Sequence, residues 1–405
     1  MVIVIFIFAA ALRLLKLSQL PPGLYLDEVL YGLDAYSILK TGKDIYGHFL
    51  PLAFQSSGHY PPLFIYLLAP LFLFLPLTDW VVRLPAALSG IAAVLMTYFM
   101  TKKLFTTKIA VLSCLFLTFL PWHIHLSRVA FLGSFGIAFL ILASYLFLQN
   151  HITLSLAVFA LSTHIHYGYK LLAPTLFVVL LWLHRKRINF IDYLIIAATI
   201  ISHFISIRYY NALFRVTALS LTQLPQMISE YLKAFSPQFL FIKGDPNLLL
   251  NPWGRGQLPL IFIPLLILGL WQLFKFRFPT RALILTWLFL APIPSALAGQ
   301  GDHAVRNSPM IIPLVIIAAL GLRRFPILAV LIIIHSLSFL SFYTRDYPAM
   351  AASLWGPPAR QITHTIPDKF YVYLSYYAFI NQLPPQTLQQ AIVTRRIGNL
   401  YFADE

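Results

Sequence analysis

The strongest candidate for catalytic chemistry is a pair of adjacent carboxylates, Asp27 and Glu28. The pair follows Pro21-Pro22-Gly23, which stops the preceding apolar stretch, and it precedes a stretch with the pattern of an amphipathic helix. One carboxylate could act as a general base with the other as its orienting partner, or both could ligate a metal. Because Asp also favours the N-cap position of a helix, spacing alone supports a structural cap equally well.

Two further candidates stand downstream of the acidic pair. His59 and Tyr60 precede Pro61-Pro62 at the start of an apolar segment, and we assign both to substrate binding. Proline is ordinary at the start of a helix, so Pro61-Pro62 needs no functional explanation. Asp79 and Arg83 are four residues apart on one predicted helix, and this spacing predicts an ion pair between them.

Basic and imidazole side chains recur in three separated segments with the sequences HIHLSR, HIHYGYK and DHAVR. Arg and Lys from separate helices make an anion site, and Arg suits bidentate binding of phosphate. We therefore assign an anion site to Arg128, Lys170 and Arg306, with His166 and Tyr169 beside them and His303 in the substrate site. His164, His166 and His303 could instead bind zinc, but no HxxxH or HExxH spacing supports this. No cofactor is assigned, and a divalent metal stays possible.

The composition restricts the class of protein that must position these residues. Hydrophobic residues make up 59% of the 405 residues and charged residues only 10%, with a mean hydropathy of +0.79. A soluble protein carries about a quarter charged residues, so this chain belongs in a membrane. The net charge of +16 does not indicate a nucleic-acid partner, because the basic residues are scattered among long apolar runs.

Eleven segments have the length and hydropathy of membrane spans. They are 1–20, 80–101, 109–124, 131–149, 152–168, 170–183, 189–207, 258–274, 281–298, 309–322 and 325–342. The first is interpreted as a retained span, since it lacks a basic leader and a cleavage motif. The apolar segment 61–78 is interrupted by prolines, and we predict juxtamembrane or re-entrant helices there, in the first outer loop.

The distribution of charge orients these spans. Four short loops are purely basic, and basic loops collect on the cytoplasmic side. These loops contain Lys102, Lys103 and Lys108; Arg185, Lys186 and Arg187; Lys275, Arg277 and Arg281; and Arg323 and Arg324. All four loops lie on one side of the membrane only if the segment 61–78 does not cross it. Of the 13 acidic residues, Asp192 is then the single one predicted on the cytoplasmic side. The predicted protein is therefore a multi-pass protein of the cell membrane, with its active site on the outer face.

This topology defines two regions. Residues 1–342 form a transmembrane module with long outer loops at 21–79 and 208–257. Residues 343–405 form a short outer tail or cap. The predicted fold class is all-α, a polytopic bundle of about eleven transmembrane helices.

The order of several short motifs resembles the integral-membrane GT-C glycosyltransferases. The resemblance is to the group of protein O-mannosyltransferases and aminoarabinose transferases, in glycosyltransferase family 39. It rests on the acidic pair, on YPPL at 60–63, on DWVVRLPAALSGIAAVLMTYFMTKKLF at 79–105, on PWHIHLSR at 121–128 and on DHAVRNSPMIIPL at 302–314. The chain differs from many relatives in having no acidic residue directly after Arg128 and only a short tail.

The resemblance implies a function. Members of the family transfer a sugar from a polyprenyl-phosphate carrier to a lipid, glycan or protein acceptor at the outer face. Asp27 would be the catalytic carboxylate with Glu28 as its neighbour, and Arg128, Lys170 and Arg306 would hold the carrier's phosphate among the membrane lipids. The residue inventory agrees, because a carboxylate can accept the hydroxyl proton while cations stabilise the departing phosphate.

A protein of another class could share these features. A secondary transporter or flippase for an anionic, lipid-linked substrate would also carry charges within a polytopic bundle. Transporters usually show two related halves with interrupted helices. The sequence shows no such internal symmetry, and the glycosyltransferase is the favoured interpretation.

Overall fold

The computed structural model describes residues 1–56, 60–210, 223–322, 326–351, 354–355, 370–394, 396–397 and 400–401. Nearly all regular structure in these residues is helical. The first half comprises α1 (Val2–Leu14), α2 (Leu26–Thr41), α3 (Leu63–Leu68), α4 (Asp79–Leu104), α5 (Thr107–Phe119), α6 (Pro121–Arg128), α7 (Leu132–Phe135), α8 (Ile137–Leu148), α9 (Ile152–Ser162), α10 (Tyr169–His184) and α11 (Phe190–Tyr210). A 3-10 turn, Ala69–Leu73, extends α3.

The second half is built in the same way. It comprises α12 (Leu224–Lys233), a π turn (Gln238–Ile242), α13 (Phe262–Leu273), α14 (Phe278–Leu290), α15 (Ile293–Leu297), α16 (Ile311–Leu322), α17 (Ala329–Arg345), α18 (Tyr347–Ala351), α19 (Phe370–Ile380) and α20 (Pro385–Thr394). Short 3-10 turns, Ser308–Met310 and Pro326–Leu328, precede α16 and α17. Two strands of two residues each, β1 (Arg396–Ile397) and β2 (Leu400–Tyr401), pair antiparallel.

Among the described residues, three helices are long and apolar enough to cross a membrane. They are Asp79–Leu104, Phe190–Arg208 and the continuous run Phe278–Leu297, and the pair α5–α6, bent by 59°, counts as a fourth if it forms one span. The remaining predicted spans contain apolar helices of 10–17 residues. The all-helical class and the apolar helices agree with the sequence analysis, whereas the number of eleven spans stays a prediction.

The segment 61–78 contains only short helices. Leu63–Leu73 has 11 residues, which corresponds to about 16 Å at 1.5 Å per residue, whereas the hydrocarbon core of a bilayer is about 30 Å thick. Its buried side chains pack against α2, as the ring contact between Tyr31 and Phe64 illustrates.

Buried apolar side chains form two clusters. The larger cluster joins α1, α4–α6, α8–α10, α13, α14, α16 and α17. The smaller cluster joins α2, α3, the start of α4, α7, α19 and α20. The stretch 343–405 therefore divides between the clusters, since Tyr343 and Trp355 belong to the larger one and Leu374 and Leu388 to the smaller one.

The helices α13 and α16 approach each other closely in the larger cluster. A Cβ atom at Gly269 would lie 1.8 Å from the carbonyl oxygen of Ile317, and one at Gly321 would lie 2.1 Å from that of Leu265. The two backbones touch at these positions, and only glycine leaves room for the contact.

The helix α2 carries the acidic pair at its start. The Oε2 atom of Glu28 accepts the N–H of Tyr25 at 3.0 Å, which is half of a capping box. The helix ends at Gly42, which has φ of +70° and whose N–H bonds to the Ile38 carbonyl. The first turn of α2 is thereby fixed, and Asp27 has a defined position.

Candidate active site

A cavity of about 320 Å³ lies where the start of α2 meets the segments 131–133, 166–167, 247–250 and 303–306. Its lining is rich in aromatic and polar side chains. The lining residues are Tyr25, Leu26, Asp27, Tyr31, Tyr60, Pro61, Phe131, Leu132, Gly133, His166, Tyr167, Asn247, Leu249, Leu250, His303, Val305 and Arg306. Five of the ten residues assigned from the sequence thus meet here, namely Asp27, Tyr60, His166, His303 and Arg306.

Asp27 is held by an aromatic hydroxyl. The hydroxyl of Tyr60 donates a hydrogen bond of 2.6 Å to Oδ1 of Asp27 across 33 residues of sequence. The Tyr60 ring in turn stands edge-on to Tyr31, with 4.7 Å between the ring centroids. These contacts orient the carboxylate within the cavity, and Tyr60 therefore positions the acid whatever contact it makes with a substrate.

Glu28 points away from the cavity and into the protein. Its side chain is 1% exposed and pairs with Arg83, with Nε–Oε1 and Nη2–Oε2 distances of 2.9 and 3.0 Å. The same carboxylate accepts the N–H groups of Tyr25 and Ala130. The sequence analysis paired Arg83 with Asp79 instead. The guanidinium bonds to Glu28 because α2 and the start of α4 pack together and present a buried carboxylate to it.

The guanidinium of Arg128 is also turned into the protein. It is 3% exposed and donates to main-chain carbonyls in the last turn of α1 and in the connection that follows it. The acceptors are the carbonyl oxygens of Leu12, Leu15, Lys16 and Leu20, at 2.7 to 3.3 Å. Arg128 is not among the residues that line the cavity. Its guanidinium, which the sequence assigned to phosphate, binds backbone oxygens in this structure.

Lys170 and Tyr169 lie behind the cavity wall. The Lys170 ammonium is 5.2 Å from the centroid of the Tyr167 ring and lines a separate small pocket. Tyr167 and Pro61 line both spaces and so separate them. The Tyr169 hydroxyl donates to the carbonyl of Gly133, which is itself a lining residue. Both residues thus support the wall of the cavity from outside it.

The cationic side of the cavity is formed by the segment between α15 and α16. Nη1 of Arg306 donates to Oε1 of Gln300 at 2.5 Å, and the N–H of Arg306 bonds to Nδ1 of His303 at 3.4 Å. Burial, with the nearby Arg306 charge, lowers the pKa of His303 to about 3. The imidazole is therefore neutral at physiological pH, and Arg306 carries the charge.

Two assignments from the sequence remain, namely His59 and the alternative zinc site. His59 lies outside the described residues. Within the described part of the chain, no group of three or more His, Cys, Asp or Glu side chains is arranged to hold a metal. The zinc grouping of His164, His166 and His303 is not formed there, since His164 stacks on His203 and bonds to Ser202.

The chain is similar to known proteins both in sequence and in fold. The family model for dolichyl-phosphate-mannose-protein mannosyltransferase matches residues 59–210, which include Tyr60 and His166 but neither Asp27 nor Arg306. ArnT from Cupriavidus metallidurans without ligand has a TM-score of 0.56 at 15% identity, covering 98% of this chain and 72% of that chain. ArnT bound to undecaprenyl phosphate has a TM-score of 0.57 at 15% identity, covering 98% and 73%.

The apo oligosaccharyltransferase from Archaeoglobus fulgidus is also similar, with a TM-score of 0.51 at 14% identity, covering 95% of this chain and 59% of that chain. The predicted resemblance to the GT-C superfamily is confirmed. Identities this low establish the fold alone, and no curated protein matches the chain.

The sequence analysis missed several residues of this GT-C cavity. Asn247, Leu249 and Leu250 line it from the segment before α13, and Tyr31 lines it from the second turn of α2. Asn247 belongs to the sequence KGDPNLLLNPWGRGQ, which the sequence assigned only to the long loop 208–257. Nothing in the sequence placed that loop beside Asp27.

Proposed function

We propose that this protein transfers a sugar from a polyprenyl-phosphate-linked donor to an acceptor hydroxyl. The observation that carries the proposal is that the carboxylate of Asp27 and the guanidinium of Arg306 line one cavity of about 320 Å³. A cavity with an oriented carboxylate and a cation has the groups needed to take a proton from an acceptor and to stabilise a leaving phosphate.

Two comparisons support this choice of donor. The family model that matches residues 59–210 is that of dolichyl-phosphate-mannose-protein mannosyltransferase. ArnT from Cupriavidus metallidurans, which shares the fold, has been solved with undecaprenyl phosphate bound. We assign the phosphate of the donor to Arg306, with neutral His303 as a hydrogen-bonding partner.

The proposed step is a direct displacement. The acceptor hydroxyl oxygen attacks the anomeric carbon and gives its proton to Asp27. The bond from the anomeric carbon to the phosphate oxygen breaks, and the polyprenyl phosphate leaves with the electron pair opposite Arg306. A single displacement of this kind inverts the anomeric centre. Charge that develops on the leaving oxygen is stabilised by the guanidinium, which is already oriented by Gln300.

The prenyl tail has an apolar groove available. A groove of about 370 Å³ lies between α4 and α8, and its lining includes Leu88, Met96, Phe139 and Leu142. The helix α7 connects the two spaces, because Leu132 lines the cavity and Phe135 lines the groove. The residues that line this groove belong to α4, α7 and α8, and none comes from the proline-rich segment 61–78.

The acceptor is proposed only as a class. A lipid, a glycan or a protein hydroxyl fits the chemistry equally. The direct experiment incubates the purified protein with radiolabelled polyprenyl-phosphate sugars and membrane extract, and then separates lipid, glycan and protein fractions. Label entering one fraction supports the proposal and identifies the acceptor class. Label that remains on the donor but changes membrane leaflet in vesicles would favour the transporter interpretation.

Topology provides a separate test. With the Cys114→Ala background, Gln300→Cys is expected to react with an impermeant maleimide from outside the cell, because the cavity is proposed to open there. Lys186→Cys, in the basic loop after α10, is expected to react only after permeabilisation. Both positions are exposed, so access to the reagent is limited by the membrane alone. Labelling of Lys186→Cys from outside would contradict the proposed orientation.

Arg306→Ala is expected to weaken donor binding with little effect on folding. A lost hydrogen bond to a charged group costs about 1.5–3 kcal/mol, or roughly ten- to a hundredfold in affinity. Titration of the solubilised protein with undecaprenyl phosphate measures the change. The matched control is Arg255→Ala, because Arg255 is an exposed arginine on the neighbouring segment and stacks on Trp253 outside the cavity. Equal affinity in Arg306→Ala and wild type would remove Arg306 from the phosphate site.

A further inference from the structure

The loop that presents His303 and Arg306 to the cavity is held at its middle residue, Ala304. The N–H of Ala304 donates a hydrogen bond of 2.7 Å to Oδ2 of Asp245. The carbonyl of Ala304 accepts the indole N–H of Trp122 at 3.1 Å. Both main-chain polar groups of this residue are therefore used, and Ala304 lies between the two side chains that form the cationic side.

Asp245 bonds to two segments at once. While its Oδ2 binds Ala304, its Oδ1 accepts the N–H of Asn247 at 2.8 Å. Asn247 lines the cavity, as do His303 and Arg306 on the other segment. One carboxylate, only 4% exposed, thus joins two cavity-lining segments that are 59 residues apart in sequence.

The start of the same loop has its own attachments. Oε2 of Glu230 in α12 accepts the N–H of Gly301 at 2.8 Å, and the Asn307 side chain donates to the Gly301 carbonyl. The loop is therefore fixed near Gly301 and at Ala304. Only the Ala304 attachment lies between His303 and Arg306, so it has the greatest influence on where these side chains point.

We infer that Asp245 is a positioning residue for donor binding, which holds the segment of His303 and Arg306 against the segment of Asn247. The inference rests on the proposed function, because it gives Arg306 its position for the phosphate. Asp245 does not itself line the cavity. It acts through the backbone of Ala304, and its negative charge lies close enough to Arg306 and Asp302 for each to affect its ionisation.

The raised pKa of Asp245 allows this role to be tested by changing the pH. Burial raises the pKa of Asp245, and the nearby Asp302 charge adds to this rise, whereas the two N–H donors and Arg306 lower the pKa. The net result is a pKa of about 6. Below pH 6 the protonated carboxyl is a weaker acceptor for Ala304 and Asn247, and one of its oxygens becomes a donor. The attachment is therefore fully formed above pH 6 and weakens as the pH falls through that value.

The test compares Asp245→Asn with wild type in the full-length solubilised protein, with undecaprenyl phosphate as the probe. Asn keeps the shape of the side chain but directs an NH₂ group at one of the two N–H donors. We expect the Kd to rise about tenfold at pH 8. The ratio of the two Kd values should approach one at pH 5, because wild type then carries a protonated Asp245. Titration of the ligand phosphate cancels in this ratio.

The control is Asp302→Asn, which removes one negative charge from the same loop and leaves the Asp245 hydrogen bonds intact. We expect it to change the Kd by no more than about twofold. Hydrogen exchange provides a readout that needs no ligand, since amides of residues 301–306 should exchange faster in Asp245→Asn than in Asp302→Asn.

The outcomes separate this inference from the function on which it rests. If wild type binds undecaprenyl phosphate and Asp245→Asn binds it with the same Kd, the positioning role of Asp245 is overturned and the proposed function is not. A Kd ratio that is the same at pH 5 and pH 8 would also overturn the positioning role, because the effect would not follow the ionisation of Asp245. If wild type bound no undecaprenyl phosphate, the proposed function would fail, and the inference with it.

Discussion

Asp27→Asn is expected to lower sugar transfer by about 10²–10⁴ while donor binding and folding stay close to wild type. Asn retains the shape of Asp and an oxygen that can still accept the Tyr60 hydroxyl, but it cannot take a proton from the acceptor. Turnover of a radiolabelled polyprenyl-phosphate sugar measures the effect at saturating donor.

Two variants make this result specific. Tyr60→Phe removes the hydrogen bond that orients Asp27 without removing the carboxylate, so a smaller loss of turnover is expected. Asp79→Asn changes another acid, at the start of α4 and away from the cavity, and should stay near wild type. The N-cap of α2 is Tyr25, so Asp27 lies inside the first turn and is not the cap. If a well-folded Asp27→Asn protein transferred sugar at the wild-type rate, Asp27 would serve only to bind the Tyr60 hydroxyl, which an amide oxygen also accepts.

Glu28→Gln is expected to have the largest effect on stability, about 3–5 kcal/mol of destabilisation. The variant leaves the Arg83 guanidinium buried without its counter-charge, and it also weakens the bonds to the N–H groups of Tyr25 and Ala130. These bonds join α2, α4 and the α6–α7 connection, so their loss affects three elements at once. Thermal unfolding of the solubilised protein, followed by circular dichroism, measures the change.

The controls for Glu28 test the cause of the effect. Lys233→Gln breaks the pair of Lys233 and Glu230, in which the lysine is half exposed, and should cost at most about 1 kcal/mol. The double variant Glu28→Gln with Arg83→Met removes the unpaired charge and should recover part of the lost stability. A Glu28→Gln protein as stable as wild type would show that the pair contributes no more than a surface contact.

Three buried arginines make structural bonds within the protein that the sequence did not predict. Arg13 bonds to His123 and to the carbonyls of Ala9 and Leu117, and Arg83 binds Glu28. Arg128 binds carbonyls at the end of α1 and just after it. Arginine serves such positions because its planar fork satisfies several oxygens at once. In an apolar bundle with few acids, backbone carbonyls are the acceptors that remain.

The sequence by itself determined the class of protein and the catalytic candidate. A composition of 59% hydrophobic and 10% charged residues required a membrane protein, since charge must cover the surface of a soluble one. The position of Asp27 also followed from local sequence, because Pro21-Pro22-Gly23 ends one segment and the next helix begins with the acids. The order of the motifs indicated the GT-C superfamily, and the fold agrees.

Only the tertiary structure decided which polar residues share a cavity. Arg128 and Arg306 look alike in sequence, as arginines that follow a histidine, yet one bonds to carbonyls about 110 residues away and the other lines the cavity. Asp245 gave no signal at all, because its partner Ala304 is 59 residues distant. The periodicity of a sequence predicts whether a side chain lies on the buried or the exposed face of its own helix. The partner of a charged group depends on which distant segments meet it, and that is set by the packing of the whole bundle.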